Sequence, residues 1–518
     1  MLLYFASASN QVHHILHWKR PSRWVKSPHR SEAIIVQEIG VSKLVHPPVH
    51  KHIPHGPLLR RARYALAVAG LLLLAVACGR LDVIRWNAIR IPSLARGESA
   101  VEIRKLDNGL TVLIKENHAN PIVTLDVWVN IGSMNEPPEI NGVSHFLEHM
   151  MFKGTKNRPP GKVDLDIESV GGETNAATSK DFTHYYVTVA SDYVTTGLDV
   201  LSDVIMNSTL DPKEVERERQ VILEEYRRKQ DSPFGFVYDE ICEAAYRSGP
   251  YKQPVIGTTE TLTSLTRAQL MDCYQRYYTP DNMVLVVVGD LKTDAIMKEV
   301  QRLFGSCRRK ARPFENADRP TRWGGPAARS IDKDVNDTYL VMAFPAPSIA
   351  TPRDTIVMDL ILGILGQGRS SRLYQSLREK KQLVSGVSAG YGTPKKPGMF
   401  MIFATLEAKN LDKLRPAALD EVRRIRTSRV GRAELAKVKK MATNESYFAN
   451  ETTNGQADTL GLYYTLSGSE KYEQEYLKVM AGVTAGDILR VAGKYLDPDK
   501  LVLVTLRPKT TGEVRSGK

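Results

Sequence analysis

From Val101 to Pro508 apolar and polar residues alternate in short, regular blocks. VEIRKL and TVLIKE each alternate in twos, on either side of Asp107-Asn108-Gly109, which predicts two strands joined by a tight turn. IVTLDVWVNIG is a further β-branched, alternating run. Helical spacing of apolar residues occupies 141–153 and 195–208, and a charged helix over 212–230 begins at Asp211-Pro212. Strands and helices mix without strict alternation, so the expected class is α+β, built in layers.

The pattern then recurs. TRAQLMDCYQRYYTPDNMVLVVVGD (266–290) parallels TAGDILRVAGKYLDPDKLVLVTLRP (484–508). In both, a threonine caps a helix ending at tyrosine, then Pro-Asp leads into an apolar strand. Pro-Asp is ordinary turn chemistry, but Thr266 stands as far from Pro280 as Thr484 does from Pro498. The matched spacing favours two homologous α/β-sandwich halves that arose by duplication. The expected organisation is a leader over 1–77, a first half over 98–305, a Pro-, Gly- and charge-rich linker over 306–328, a second half over 329–510 and a tail over 511–518.

A length of 518 residues accommodates more than one domain, and 42% hydrophobic with 25% charged residues is a globular composition. The formal charge of +13 suggests a polyanion partner until it is located. Residues 1–77 hold ten Lys/Arg against Glu32 and Glu38, so +8 belongs to the leader and +5 to all the rest. Nucleic acid is thereby excluded as an expected partner. Histidine is skewed likewise: eight of twelve precede residue 78, leaving His118, His145, His149 and His184. Cys78, Cys242, Cys273 and Cys307 form no CxxC, which excludes a thiolate zinc site and a disulfide framework but leaves one disulfide among the last three open.

Arg60-Arg61-Ala62-Arg63 followed by the apolar run 64–77 reads as a secretory signal peptide, so export to the periplasm is expected. Ala75-Val76-Ala77-Cys78 fits signal cleavage and also resembles a bacterial lipobox. A lipid on Cys78 would anchor the protein without a spanning helix. Residues 1–57 precede this signal and match no domain; translation is expected to start near Val49 or Leu58 from a codon other than AUG.

Residues 145–149 read His-Phe-Leu-Glu-His. On a helix His145 and His149 lie one turn apart on one face, with Glu148 beside them. Hydrolytic zinc needs that inventory: two imidazoles, a third protein ligand, an open position for water and a nearby base. The third ligand is expected to be a carboxylate from another element. The helix VERERQVILEEYRRK offers Glu214, Glu216, Glu218, Glu224 and Glu225. Glu218 and Glu225 share a face with Val221 and Ile222, whereas Glu224 is turned about 100° away.

HFLEHMMFKGT resembles the signature of the pitrilysin, insulinase and mitochondrial processing peptidase family of inverted zincins. The resemblance implies two similar α+β halves, of which only the first carries zinc. It implies His145, His149 and Glu225 as metal ligands, Glu148 as the base, and Glu218 as an auxiliary glutamate that supports a ligand. GGETNAATSKDFTHYY (171–186) is similar to the family's edge strand, which binds peptide by strand addition, with Asn175 and Ala176 at its core. The whole is most similar to the shorter bacterial and mitochondrial-type members, zinc endopeptidases acting on peptides or unfolded chains, which pair with a second chain. The same fold also serves as catalytically silent assembly subunits, the alternative expectation.

One segment departs from the pattern. GQGRSSRLYQSLREKKQLVSGVSA (366–389) is similar to the family segment whose Arg and Tyr orient substrate; Arg378 fits the Arg, but Ser385 occupies the Tyr position and Tyr391 is out of register. A homodimer, or a heterodimer with a related chain carrying the intact Arg/Tyr pair, is therefore expected.

Overall fold

A computed structural model of the chain describes residues 100–315 and 319–509. The signal segment, Cys78 and the tail lie outside the described residues. Both sheets belong to one compact unit.

The first sheet has six strands: β1 (Glu102–Lys105), β2 (Thr111–Glu116), β3 (Ile122–Val129), β4 (Glu173–Thr178), β5 (Thr183–Ala190) and, after the short β6 (Tyr246–Ser248), β7 (Met283–Gly289). Their order is β1-β2-β7-β3-β5-β4. The short β8 (Arg322–Trp323) pairs with β6. The second sheet holds β9 (Ala327–Lys333), β10 (Thr338–Ala346), β11 (Gly386–Tyr391), β12 (Gly398–Leu406) and β13 (Val502–Pro508), ordered β11-β12-β10-β13-β9. β7 pairs parallel with β2 and antiparallel with β3, and β13 pairs parallel with β9 and antiparallel with β10. Apart from β1, the order β2-β7-β3-β5-β4 thus repeats as β9-β13-β10-β12-β11, as the sequence repeat predicts.

Among the described residues the first half of the chain holds eight helices: α1 (Val143–Met151), α2 (Lys162–Glu168), α3 (Val194–Asn207), α4 (Pro212–Asp231), α5 (Pro233–Ala245), α6 (Thr259–Ser264), α7 (Arg267–Tyr277) and α8 (Thr293–Phe304). Six follow: α9 (Pro352–Leu365), α10 (Leu411–Thr427), α11 (Arg432–Ala449), α12 (Thr453–Ser467), α13 (Tyr472–Gly482) and α14 (Ala485–Tyr495). The repeated segments form α7–β7 and α14–β13, and Thr266 and Thr484 each close a capping box. The expected linker is more ordered than its composition suggests, since it contains β8 and the start of β9 and packs Trp323 against Tyr246.

Both faces of each sheet are covered, which is why β7 reads as a continuous apolar run. Val123, Leu125, Val127 and Leu285 face the core shared with α1, α3 and α7. Trp128, Leu113, Val286 and Val288 face the other way, against Ala457, Leu462 and Leu466 of α12 from the second half. Reciprocally, Val237, Ile241 and Ala245 of α5 cover Val341, Val502 and Val504 of the second sheet. Each half therefore lends one helix to the other. The contact is tight at Gly461, where a Cβ would overlap Trp128 Nε1. Cys242, Cys273 and Cys307 are all free thiols, so the disulfide left open above does not form. Among the described residues no helix is long and apolar enough to cross a membrane.

Candidate metal centre

Helix α1 carries His145, Glu148 and His149, and it is fixed at both ends. At its start Gly142 adopts φ +96°, and a Cβ there would lie 2.6 Å from the Ile256 carbonyl oxygen. Only glycine meets both conditions. The buried carboxylate of Glu136 accepts the N–H groups of Gly142 (2.7 Å) and Ser144 (2.9 Å) and the Asn141 amide (2.8 Å). An anion at this end also complements the helix dipole. Sequence reading missed Glu136; its only signal was an acidic residue shortly before the helix.

Past the other end, Arg158 pairs with Asp166 (3.0 Å), Asp199 (2.5 Å) and Asp203 (2.8 Å). Asp203 also accepts from Thr155 and Asn157, pinning the loop after α1 to α3. Burial raises the Asp203 carboxyl, but Thr155 and Arg158 outweigh it and hold its pKa below the usual range.

Helix α4 faces α1 and brings Glu225 to both histidines. His145 Nε2 lies 3.7 Å from Glu225 Oε1, and His149 Nε2 lies 3.5 Å from Glu225 Oε2. A tetrahedron around an ion with bonds near 2.1 Å has edges of roughly 3.4 Å. One ligand atom from each of the three side chains lies within 4.8 Å of the other two, so they can close on zinc by drawing together. His149 Nδ1 lies 3.2 Å from Glu218 Oε2, and Lys153 Nζ lies 2.8 Å from Glu218 Oε1. Glu218 thus receives the outer N–H of His149 and leaves Nε2 as the ligand atom. Burial opposes charge on His149, but hydrogen bonds to Glu218 and Glu225 push its pKa to about 10, so an incoming metal ion displaces a proton there. His145 shifts downward because burial dominates, and its Nδ1 has no hydrogen-bond partner among the described residues, so no carboxylate behind the ring supports it as Glu218 supports His149.

The inward-face reading of α4 needs one correction. Val221 is 45% exposed, whereas Glu218 is 6% exposed and Ile222 is buried. The buried face is centred on Val215, Arg219 and Ile222, and Val221 lies beyond its flank. Glu224 points to solvent and pairs with Arg227.

Glu148 is held by the outermost strand: Thr178 Oγ1 of β4 donates to Glu148 Oε2 at 2.5 Å. β4 pairs only with β5 and forms one end of the sheet. On it Asn175 is exposed and Ala176 buried, and the Ala176 N–H donates to the Asn175 side-chain oxygen at 2.9 Å. Thr178 and Lys153 were not singled out from sequence, although both sit within the quoted motifs.

The second-half residues are not drawn in. Arg378 lies exposed in a π-helical turn (Tyr374–Lys380), with its guanidinium over the Tyr374 ring, and makes no ion pair with the centre among the described residues. Ser385 donates its hydroxyl to the Thr405 carbonyl (3.1 Å). Tyr391 is buried and donates to the Pro347 carbonyl (3.1 Å), so it does not stand in for the missing tyrosine.

Comparison with known proteins finds relatives over most of the chain. Residues 111–259 match the family described as insulinase (peptidase family M16), and residues 264–442 match the peptidase M16 inactive domain. The uncharacterized zinc protease YmxG of Bacillus subtilis is 31% identical over 378 residues, covering 73% of this chain and 91% of that protein. The probable β subunit of the mitochondrial processing peptidase of Arabidopsis thaliana is 28% identical over 422 residues, 79% of each chain. A crystal structure of a protease from Helicobacter pylori superimposes with a TM-score of 0.74 at 25% identity, covering 79% of this chain and all of that one. With its duplicated fold, its two histidines on α1 and its glutamate on α4, this chain belongs to the insulinase family of zinc metallopeptidases, peptidase M16.

Proposed function

We propose that the chain is a zinc endopeptidase that cuts peptides or unfolded polypeptides in the bacterial cell envelope. The observation that carries this reading is the convergence of His145 Nε2, His149 Nε2 and both Glu225 oxygens, with Glu148 on the next position of the same helix. Zinc bound there supplies a Lewis acid that polarises a carbonyl and acidifies water. The chain's own groups do the rest. Glu148, oriented by Thr178, takes the proton of the attacking water and passes it to the leaving amine. The outer edge of β4 receives the peptide as an added strand, and its carbonyl replaces the Asn175 side chain as acceptor of the Ala176 N–H. The retained ligand set speaks for an enzyme over a silent subunit. The test is zinc content together with cleavage of an unstructured peptide; a metal-free chain that cleaves nothing sinks the proposal.

Ser385 and Tyr391 favour a partner-dependent form of this reading. Both hydroxyls are engaged with backbone carbonyls of their own half. A second copy, or a related chain with the Arg/Tyr pair, would then supply the donor to the developing oxyanion, a contribution of about 3–4 kcal/mol when one such donor is removed. Mixing with that partner should raise kcat more than it lowers KM. We further place the mature protein in the periplasm, starting at Cys78 and membrane-anchored if that cysteine is acylated. Mass spectrometry of the mature N-terminus tests this; an intact 58–77 segment contradicts export.

A further inference from the structure

The segment expected to act as a linker begins Ser306-Cys307-Arg308-Arg309-Lys310-Ala311-Arg312, with four cations among residues 308–312. A charge run of this kind is usually a solvated tail. Here it is folded back onto the first half. Arg309 lies over the Tyr274 ring at 5.1 Å, Lys310 Nζ donates to the Asn108 carbonyl (3.3 Å), and the Ala311 N–H donates to the Asp281 carboxylate (3.0 Å). The Arg312 N–H donates to the Arg276 carbonyl at 3.1 Å. The segment thereby becomes one wall of a cleft of about 990 Å³, which also borders the end of α3 and one face of α7.

Lys156 from the loop after α1 and Arg267 from α7 bring the cations lining the cleft to six, and among the described residues no Asp or Glu lines it. The chain beyond residue 77 carries only +5 in all, so this concentration is local. Among the described residues Lys310 has one carboxylate within reach, Asp281 at 4.0 Å, and the other five cations form no ion pair. Two of the guanidinium groups are held by neutral partners: Arg309 by Tyr274, and Arg267 by the carbonyls of Leu210 (2.6 Å) and Thr209 (2.9 Å). Such contacts orient the forks without neutralising them. A separate observation points to a ligand that accepts hydrogen bonds. Ser208 lines the same cleft, is 6% exposed, and its hydroxyl has no hydrogen-bond partner among the described residues. A buried hydroxyl left without a partner is costly. None of His145, Glu148, His149 and Glu225 lines the cleft.

We propose that this cleft binds a ligand carrying several phosphate charges close together, either a soluble polyphosphate or the phosphorylated headgroup of a lipid. Arginine forks match phosphate oxygens in pairs, and each lysine adds a point charge. Six cations around one cleft call for several negative charges in a small volume, which carboxylates spaced along a peptide do not supply. The volume is that of a small-molecule site rather than of a groove for a nucleic-acid duplex. The Ser208 hydroxyl donates to a phosphate oxygen. The bound anion relieves the mutual repulsion of the cations and ties Lys156, behind α1, to the segment 308–312.

The experiment titrates sodium tripolyphosphate into the full chain by calorimetry at physiological salt. Binding at one site per chain is expected. Arg308→Gln with Arg312→Gln, both exposed, should weaken it at least about tenfold, and Ser208→Ala about fivefold. Lys156→Gln, on another wall, should weaken it independently even if the arginine variant fails to fold. Lys413→Gln with Arg415→Gln on α10 removes the same charge outside the cleft and should change nothing. Chelation of a metal ion by the probe would not respond to the cleft substitutions. Vesicles of equal parts phosphatidylcholine and phosphatidic acid give the second arm. Sedimentation of the chain with them, reversed by tripolyphosphate, assigns a lipid source; tripolyphosphate binding without sedimentation assigns a soluble one. The proposal is overturned if neither probe binds, if the cleft variants bind as the parent does, or if a glutamate-rich peptide of equal charge binds as tightly as tripolyphosphate.

Discussion

Thr178 and Glu148 meet at 2.5 Å, hydroxyl to carboxylate, and so tie the end strand β4 of the first sheet to the helix that carries the two candidate histidine ligands. The strand proposed to receive peptide also aims the group proposed to activate water. Thr178→Val should keep zinc content at the wild-type level and lower kcat by about tenfold, the worth of one hydrogen bond to a charged group. Steady-state kinetics with metal analysis checks this; an unchanged kcat means Glu148 needs no such support.

Glu148→Gln removes the base and no ligand. Zinc should stay near the wild-type content while turnover falls by about 10²–10⁴-fold. Wild-type turnover in this variant would refute the mechanism.

On α4 the three neighbouring glutamates should separate cleanly. Glu225→Gln should release the metal, because an amide is a poor zinc ligand. Glu218→Gln should weaken it about 10–100-fold by loosening His149. Glu224→Gln should change nothing, since that side chain pairs with Arg227 in solvent. Competition with a zinc chelator ranks the three; a loss confined to Glu224→Gln would move the ligand by one position.

Acid should attack the loop behind α1. Asp203 has a depressed pKa in the folded state, so its stabilisation is present above the unfolded value near ~3.9 and is lost as pH falls through the folded one. Asp203→Asn leaves Arg158 with Asp166 and Asp199 as its partners and should cost about 1–2 kcal/mol at neutral pH. Thermal melts should show the difference from wild type narrowing below pH ~4. A difference that stays constant down to acid pH would show that packing rather than charge is responsible.

Much of this was legible because it is local. His145, Glu148 and His149 lie within one helical turn, and the seven-residue step from Glu218 to Glu225 keeps both toward α1. The matched Thr-to-Pro spacing exposed the duplication because cap, helix and turn are short-range chemistry. What escaped was long-range. Glu136 caps α1 from across a turn, and Thr178 reaches Glu148 from another strand. Val221 was misread because helical spacing fixes relative angles but not where the buried arc is centred.

The reciprocal helices α5 and α12 make this chain indivisible. A cut between the sheets would leave Trp128, Leu113, Val286 and Val288 bare on one fragment and Val341, Val502 and Val504 bare on the other. Each bare face is a broad apolar strand surface of the kind that drives aggregation. The half that holds every proposed zinc ligand is therefore no minimal protease. Its twin serves as the scaffold that keeps its sheet dry, a reason to retain a half that contributes none of the proposed ligands.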